Sequence, residues 1–322
     1  MSLPLAIPVK PQLALSRREL PEGDDYVYEI KLDGFRCVAF CDGDELFLQS
    51  RGGKPLGRYF PELLFGHGRY VLDGEIVVRG PDGLEDFDAL GQRVHPAASR
   101  VERLSVETPA IYVAFDLLAL EDESLLERPF IERRAMLEAL LAEDRFADAP
   151  IELIESTAAP AEARHWLEVA EGAIAKDRTA PYRPGERKGM AKVKRVRTID
   201  AVVAGWRPGK EEGTVGALIL GLYEDAAPQS GLRIVGHCSG LTAAEKRRLV
   251  GFLAPYQTGV RGSAEPSRWS AGKELEWIEL RPELVVEIDF DHVSAGRIRH
   301  GAKLRRWRED KDPRECLFEQ LG

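Results

Sequence analysis

The segment EIKLDGFR, residues 29–36, is the most informative stretch of this sequence. It overlaps the stretch YVYEIKL (26–32), which predicts a strand, and its Asp-Gly pair favours a turn that brings backbone close to a ligand. Lys31 therefore lies where a strand ends and a turn begins. A lysine can act as a nucleophile after losing a proton from an unperturbed pKa of about 10.4, and nearby positive charge favours that loss. Taken alone, K-x-D-G is also typical of an exposed strand lysine before a hairpin turn, so other residues must decide.

The sequence that follows this segment predicts antiparallel strands joined by tight turns. These strands are RCVAF (36–40), ELFLQS (45–50) and YVLDGEIVV (70–78). Apolar residues at helical spacing predict two amphipathic helices, in 129–142 and 160–175, each following a proline. The first part of the chain is therefore expected to mix α and β structure without the βαβ alternation of a parallel sheet.

After Thr198 the sequence changes to apolar strands separated by glycine and charged turns. The predicted strands are IDAVVAGWR (199–207), VGALILGLYED (215–225) and GLRIVGHCSG (231–240). A helix is expected from about Thr242 to Leu253. About five strands with one interposed helix predict a small β-barrel of the oligonucleotide-binding (OB) type.

The overall composition sets the number of domains and the compartment. A chain of 322 residues with 44% hydrophobic composition is long enough for two packed domains, which we expect at 1–198 and 199–322. No signal-peptide core and no run of 18 uncharged apolar residues is present, which favours a cytoplasmic protein without a membrane partner. The four cysteines lack CxxC spacing. We expect them to be reduced core residues, and we favour that interpretation over a metal shared by Cys37 and Cys41.

The charge is unevenly distributed. A net charge of -9 argues against a protein that is basic over its whole surface, yet basic residues concentrate in 183–197 and 297–314. Each stretch is a candidate nucleic-acid contact, and each is equally consistent with a solvated face when considered alone.

With K-x-D-G in place, the chain resembles the covalent nucleotidyltransferase superfamily, which contains ATP-dependent DNA ligases, RNA ligases and capping enzymes. Six further segments resemble the motifs of that family, in the family's order. They are SRGG (50–53), LDGEIV (72–77), VAFDLL (113–118), EGAIAK (171–176), MAKVK (190–194) and RWREDK (306–311). The order and spacing make the resemblance greatest to small bacterial ATP-dependent DNA ligases without accessory domains, of the ligase C type.

The resemblance implies a role for each matching residue. Lys31 is the expected nucleophile, and Asp33, Lys192 and Lys194 are expected to assist catalysis, because alternate lysines on a strand can reach one phosphate. The metal is assigned to Glu171 as first choice, with Glu75 as second, since carboxylate oxygens suit Mg²⁺. Phe115 is expected to stack on the base. The full set of expected nucleotide-binding residues is Glu29, Arg36, Arg51, Glu75, Phe115, Lys176, Arg306, Arg308 and Lys311.

The fold implied is α+β, with an antiparallel-sheet nucleotidyltransferase (adenylation) domain followed by an OB-fold β-barrel. The implied activity is ATP-dependent sealing of 3′-hydroxyl/5′-phosphate nicks in duplex DNA through lysyl-AMP, with Mg²⁺ or Mn²⁺. The sequence leaves the oligomeric state open, and a monomer is the default expectation. The last motif is expected to serve the first step only, so the second domain should swing about a hinge near Arg197–Asp200. Because fewer than thirty residues precede the strand of Lys31, we expect no separate N-terminal DNA-binding domain and a salt-sensitive grip on nicked DNA.

Two alternatives remain at this point. An RNA ligase or a GTP-using capping enzyme shares the lysine chemistry, although the form E-x-K-x-D-G-x-R favours a DNA ligase. A noncatalytic nucleic-acid-binding protein that keeps an inactive transferase domain is the other alternative, and decay of the motifs would favour it. No motif is decayed in this sequence.

Overall fold

The computed structural model describes residues 2–227, 229–264 and 275–321. The chain divides into two compact units, Met1–Arg195 and Val196–Gly322. Among the described residues, no helix has the length and apolar character needed to cross a membrane. The four cysteines are buried and none forms a disulfide, as the sequence predicted.

The helices and strands are labelled here in chain order. The α-helices of the described residues are α1 (Phe87–Arg93), α2 (Ala98–Glu107), α3 (Phe130–Leu141), α4 (Pro160–Val169) and α5 (Ala243–Leu253). The strands of the first unit are β1 (Leu15–Ser16), β2 (Tyr26–Ile30), β3 (Phe35–Gly43), β4 (Glu45–Ser50), β5 (Gly68–Val78), β6 (Ala110–Leu120), β7 (Glu123–Ser124), β8 (Ile151–Leu153), β9 (Ser156–Thr157), β10 (Gly172–Asp177) and β11 (Met190–Lys194). The strands of the second unit are β12 (Arg197–Pro208), β13 (Val215–Tyr223), β14 (Leu232–Gly240), β15 (Gln257–Ala264), β16 (Leu275–Leu280), β17 (Val285–Phe290), β18 (Val293–Ser294), β19 (Arg297–Ile298) and β20 (Ala302–Trp307).

Two sheets form the first unit. One has the strand order β4-β3-β5-β6-β7, with β8 added to β6, and the other has the order β1-β11-β10-β2-β9. The pairings are antiparallel except β1 with β11 and β6 with β8. Alternate residues of the long strands enter a common core that includes Leu72, Tyr112 and Leu137, so α3 packs against β6. This mixed, mainly antiparallel architecture confirms the predicted fold class.

The second unit contains a closed barrel. Its sheet has the order β13-β14-β20-β17-β12-β16-β15, and β13 also pairs with β12. This extra pairing closes a ring of five strands, which is the number expected for an OB fold. Helix α5 begins with a capping box, in which Thr242 and Glu245 satisfy each other's backbone N–H groups, and Leu249 and Leu253 join the barrel core.

Three sequence predictions need correction or completion. The helix expected over 160–175 ends at Val169, because Gly172 adopts a φ of 141° and begins β10, where Ala173 and Ala175 are fully buried. Helices α1 and α2 were not predicted. The expected hinge residues 197–200 belong to β12, which pairs with β17, so the residues without regular structure between the two units are Arg195 and Val196.

Candidate active site

Three neighbouring strands of the first unit bring the predicted lysines together. Glu29 of β2 and Lys192 of β11 both lie opposite Ile174 of the strand between them, β10, so they form one row across the sheet. Lys31 extends β2, and its N–H bonds to the carbonyl of Gly172, the residue opposite Lys194. Because side chains two residues apart on a strand share a face, Lys31, Lys192 and Lys194 belong to one face of this sheet.

The glycine of the EGAIAK segment makes this alignment possible. A Cβ atom on Gly172 would lie 2.1 Å from the carbonyl oxygen of Val193 and 2.9 Å from the Cα of Lys194. Its φ of 141° lies in a region that other residues rarely adopt. The motif glycine is therefore required by the close approach of β10 to the strand that carries the lysines.

The glycine of K-x-D-G has a comparable packing role. A Cβ atom on Gly34 would lie 2.3 Å from the carbonyl oxygen of Ile76 and 2.7 Å from the Cγ of Glu75. We expected the Asp-Gly turn to bring backbone close to a ligand. In the structure it instead lets the chain after Lys31 pack directly on β5, which places Glu75 beside the nucleophile candidate.

A cavity of about 230 Å³ opens at this place. The predicted residues that line it are Glu29, Lys31, Arg36, Arg51, Glu75, Phe115, Lys176 and Lys192. Lining residues that sequence reasoning missed are Pro11, Gln12, Leu13, Ala14, Ile30, Leu32, Ile154, Ile174, Arg187 and Met190. Arg187 lies in the basic stretch 183–197 and could have been selected from it, whereas segment 11–14 has no pattern that identifies it. Asp33, Glu171 and Lys194 are not among the lining residues.

Glu29 and Lys176 form a buried ion pair in the wall of the cavity. Lys176 Nζ lies 2.8 Å and 3.0 Å from the two carboxylate oxygens of Glu29. It also donates to the carbonyl of Phe115 and lies 4.8 Å from the centre of that ring. Burial raises the pKa of Glu29, and the positive charge of Lys176 opposes this shift. Lys176 thus supports both Glu29 and Phe115.

A second network fixes Arg36 against the same aromatic ring. Arg36 donates from Nε and Nη2 to the two oxygens of Asp73, each over 2.6 Å, and its guanidinium carbon lies 4.5 Å from the centre of the Phe115 ring. The buried hydroxyl of Tyr182 donates to Asp73 over 2.6 Å and accepts the N–H of Gln12 over 2.9 Å. Sequence reasoning missed Asp73 and Tyr182, although Asp73 is part of the LDGEIV segment.

The mouth of the cavity is electropositive. Burial, together with Lys194, Lys31 and other nearby cations, lowers the pKa of Lys192. Glu75 behaves oppositely, since burial raises its pKa to about 7, and Arg36 and Lys31 oppose that shift. A lysine whose protonation is weakened by neighbouring cations suits a polyanionic ligand, because bound phosphate would relieve their repulsion.

Two carboxylates of the first unit form a candidate metal site. Oxygens of Asp33 and Glu171 lie within 4.8 Å of each other. Two hard oxygen donors at this separation fit a divalent cation such as Mg²⁺. The geometry is thus compatible with Glu171 as the predicted ligand and adds Asp33 beside it.

The three basic residues of the last motif, Arg306, Arg308 and Lys311, lie in the second unit, and each contacts a carboxylate there. Arg306 Nε donates to Glu287 over 2.6 Å, and Arg308 bonds to both Asp200 and Asp310. Lys311 lies 2.9 Å from Glu315. Contact of these three residues with a nucleotide stays a prediction.

Comparison with known proteins agrees with this geometry. Residues 8–194 match the family described as the ATP dependent DNA ligase domain, and residues 211–311 match the ATP dependent DNA ligase C terminal region. DNA ligase C of Mycobacterium tuberculosis (strain ATCC 25618 / H37Rv) is 42% identical over 350 aligned residues, which cover 100% of this chain and 96% of the relative. DNA ligase C1 of Mycolicibacterium smegmatis (strain ATCC 700084 / mc(2)155) is 41% identical, with the same coverage.

A solved structure is also similar. A mycobacterial DNA ligase D complexed with ATP and MES superposes with a TM-score of 0.51 at 28% identity, covering 96% of this chain and 98% of that one. The matched families cover both units, and the full-length relatives exceed 40% identity. The chain therefore belongs to the family of ATP-dependent DNA ligases.

Proposed function

We propose that this DNA ligase seals nicks between a 3′-hydroxyl and a 5′-phosphate in duplex DNA, with AMP carried covalently on Lys31. The observation that carries the proposal is the cavity that Lys31 shares with the aromatic ring of Phe115 and the cations Lys192 and Arg51. An aromatic face suits a nucleotide base, and clustered cations suit its phosphates.

The reaction proceeds in three transfers. In the first, Lys31 Nζ loses a proton and attacks the α-phosphorus of ATP, so a P–N bond forms and pyrophosphate leaves. In the second, an oxygen of the nick 5′-phosphate attacks the same phosphorus and releases Lys31, which leaves AMP joined to the DNA end through a pyrophosphate linkage. In the third, the 3′-hydroxyl attacks the DNA 5′-phosphorus and AMP leaves. Positioning and charge neutralisation supply most of the catalysis.

Each cavity residue has a role consistent with its position. Phe115 stacks on the adenine, and Arg36 and Lys176 both contact its ring. Glu29 fixes Lys176. Of the remaining lining groups, Arg51 and Glu75 contact the ribose, and Lys192 contacts the α-phosphate. Lys194 does not line the cavity, but it shares the sheet face of Lys192 and assists it near the α-phosphate.

Asp33 and Glu171 would hold a divalent cation, Mg²⁺ or Mn²⁺, with Glu75 as an alternative ligand. Such a cation supplies neutralisation of the charge that develops as pyrophosphate leaves. The separation of the two carboxylates is compatible with this role, because both can contribute an oxygen to one ion. Asp33→Asn and Glu171→Gln should each raise the Mg²⁺ concentration needed for half-maximal labelling of Lys31.

The first experiment is covalent labelling with ATP carrying label at the α-phosphate, in the presence of Mg²⁺. The wild type should retain label after denaturation, and Lys31→Ala should retain none. Lys54→Ala is the matched control, because Lys54 is an exposed lysine that follows the SRGG turn and does not line the cavity. Label on the Lys31→Ala protein, or none on the wild type, would refute the proposal.

The DNA preference is tested with nicked duplexes that carry RNA on one side of the nick at a time. We expect sealing of the all-DNA nick to be fastest, in agreement with the family to which the chain belongs. Faster sealing of either RNA-containing nick would instead support the RNA-ligase alternative.

We also propose that the two units act as separate functional domains that move about Arg195–Val196, so the boundary expected between residues 198 and 199 moves to residues 195 and 196. Support comes from the division of the chain into two compact units near that position. A crosslink between the domains should block at least one of the three transfers, whereas a crosslinked protein with all three intact would exclude the motion.

A further inference from the structure

Glu287 of β17 lies at the centre of an arginine cluster in the second unit. Its two carboxylate oxygens accept from Arg306 Nε over 2.6 Å and from Arg305 Nη1 over 3.1 Å, and Arg308 Nη1 lies 3.8 Å away. The Glu287 side chain is only 12% exposed. The hydrogen bond from Arg306 is the main cause that lowers the pKa of Glu287, so the carboxylate stays ionised at neutral pH.

An irregularity of the strand pairing creates this arrangement. Glu287 is opposite Arg306, but the next pair is Ile288 with Leu304, so Arg305 is an extra residue in β20. In a regular strand, consecutive side chains point to opposite faces. A bulge redirects side chains locally, and here it allows both Arg305 and Arg306 to reach one carboxylate.

The two arginines of the last motif are held differently. Arg308 is 18% exposed, with Nη1 on both oxygens of Asp200 and with Nε and Nη2 on Asp310. Arg306 is 61% exposed, and it donates to Glu287 through Nε. A guanidinium anchored through Nε can still present the fixed fork of its two terminal nitrogens, which is the geometry that binds a phosphate with two bonds.

We propose that Glu287 is a positioning residue for the first transfer, and that it orients Arg306 to bind the pyrophosphate that leaves from ATP. This inference rests on the proposed function, and on the expectation from the sequence that the last motif serves the first transfer only. Glu287 acts through Arg306 and does not contact the nucleotide. Its carboxylate restricts the rotation of a long exposed side chain, so the guanidinium is already oriented when the triphosphate arrives.

A purely structural role for Glu287 makes a different prediction. If the carboxylate only neutralises a partly buried cluster, its loss should weaken the second unit and all three transfers together. If it positions Arg306, its loss should slow formation of lysyl-AMP and leave the sealing of a nick that already carries AMP unchanged.

The test uses the full chain with Glu287→Gln, Arg306→Ala and the control Asp289→Asn. Asp289 lies two residues along β17, on the same face, and contacts Arg305 and Thr198. Single-turnover labelling with ATP, the ATP concentration for half-maximal rate, and sealing of a pre-adenylated nick are measured for each. We expect Glu287→Gln to slow labelling by about 10- to 100-fold, the loss seen when the hydrogen-bonded partners that orient metal ligands are removed, and to raise the ATP requirement. Arg306→Ala should do the same, while sealing of the pre-adenylated nick and the Asp289→Asn protein should be unaffected.

Other results would overturn the inference. Equal loss of labelling and of pre-adenylated sealing in Glu287→Gln would assign it a structural role. Normal labelling in Glu287→Gln with slow labelling in Arg306→Ala would remove the positioning role and leave the proposed function intact. Normal labelling in Arg306→Ala would show that this arginine does not serve the first transfer, while Lys31 labelling would still support the ligase. If Glu287→Gln does not fold, Glu287→Asp keeps the charge and shortens the reach, and normal labelling by that variant would equally refute the proposal.

Discussion

Substitution of Gly172 by alanine should disable the active site without changing any group that touches substrate. Two costs follow from the structure. The φ of 141° is strained for alanine, by about 1–3 kcal/mol. The new Cβ would also lie 2.1 Å from the Val193 carbonyl oxygen, which is backbone and cannot rotate away. Overpacking of this kind costs about 1–3 kcal/mol, so a destabilisation of about 2–6 kcal/mol is expected.

The same clash predicts a specific catalytic effect. To restore normal contact, β11 must move by about 1 Å, and it carries Lys192 and Lys194 with it; a displacement of that size can lower a rate by about 100-fold. Thermal unfolding and single-turnover labelling of Lys31 would measure the two effects at a temperature where the variant is folded.

Gly83→Ala is the matched control. Gly83 has a φ of 81°, and a Cβ there would meet no atom within 4 Å, so it isolates the backbone strain from the clash. We expect this control to lose about 1–2 kcal/mol and to label Lys31 at the wild-type rate. If Gly172→Ala proved as stable and as active as Gly83→Ala, the argument that this glycine aligns the two strands would be wrong.

Four further predictions follow from the charges and buried bonds. Tyr182→Phe removes the hydroxyl that donates to Asp73, which should lower the free energy of unfolding by about 1–3 kcal/mol. The KM for ATP should rise, because Asp73 then holds Arg36 less firmly. An unchanged Tm and an unchanged KM would contradict this prediction. Burial raises the pKa of Glu75 to about 7, so its carboxylate forms only as pH rises through that value. The ratio of wild-type to Glu75→Gln labelling rates should therefore increase from pH 6 to pH 8, and a flat ratio would exclude a role for the ionised form. Stability should change with pH in the opposite direction. Because the pKa of Glu75 in the folded protein lies above 4.5, the neutral carboxyl stabilises the fold at acid pH, and this contribution is lost as pH rises through about 7. The Tm of Glu75→Gln should therefore vary less with pH than the Tm of the wild type. Affinity for nicked duplex should fall steeply with added salt, because phosphate contacts release counterions, and binding that ignores salt would argue against the basic stretches as the DNA contacts.

Much of the site could be predicted because its residues lie in short local patterns. Lys31 is set by a strand and the turn that follows it, and Lys192 and Lys194 are set by the alternation of one strand. Each pattern needs only a few consecutive residues to specify which side chains share a face. The OB barrel was predictable for the same reason, since its strands are long apolar runs bounded by glycine.

The parts that were missed depend on contacts between distant residues. Arg36, Asp73 and Tyr182 are separated by 37 and 109 positions, and no local pattern connects them. The predicted helix over 160–175 failed because apolar spacing continues past Val169, while the pairing of β10 with both β2 and β11 offers Ala173 and Ala175 complete burial. Long-range burial overrode the local helical pattern there.

The glycines of two motif segments are needed for the packing of strands and not for the chemistry itself. Gly34 and Gly172 both belong to segments that we identified through catalytic side chains, yet each is required where backbone meets a neighbouring strand, at Ile76 and at Val193. A sequence that kept every lysine and carboxylate but replaced either glycine would retain the reactive groups and lose their alignment. Lys31, Glu75 and Lys192 come from three different strands or strand ends and meet in one cavity. The chemistry therefore depends on the close packing of these strands, which the two glycines allow.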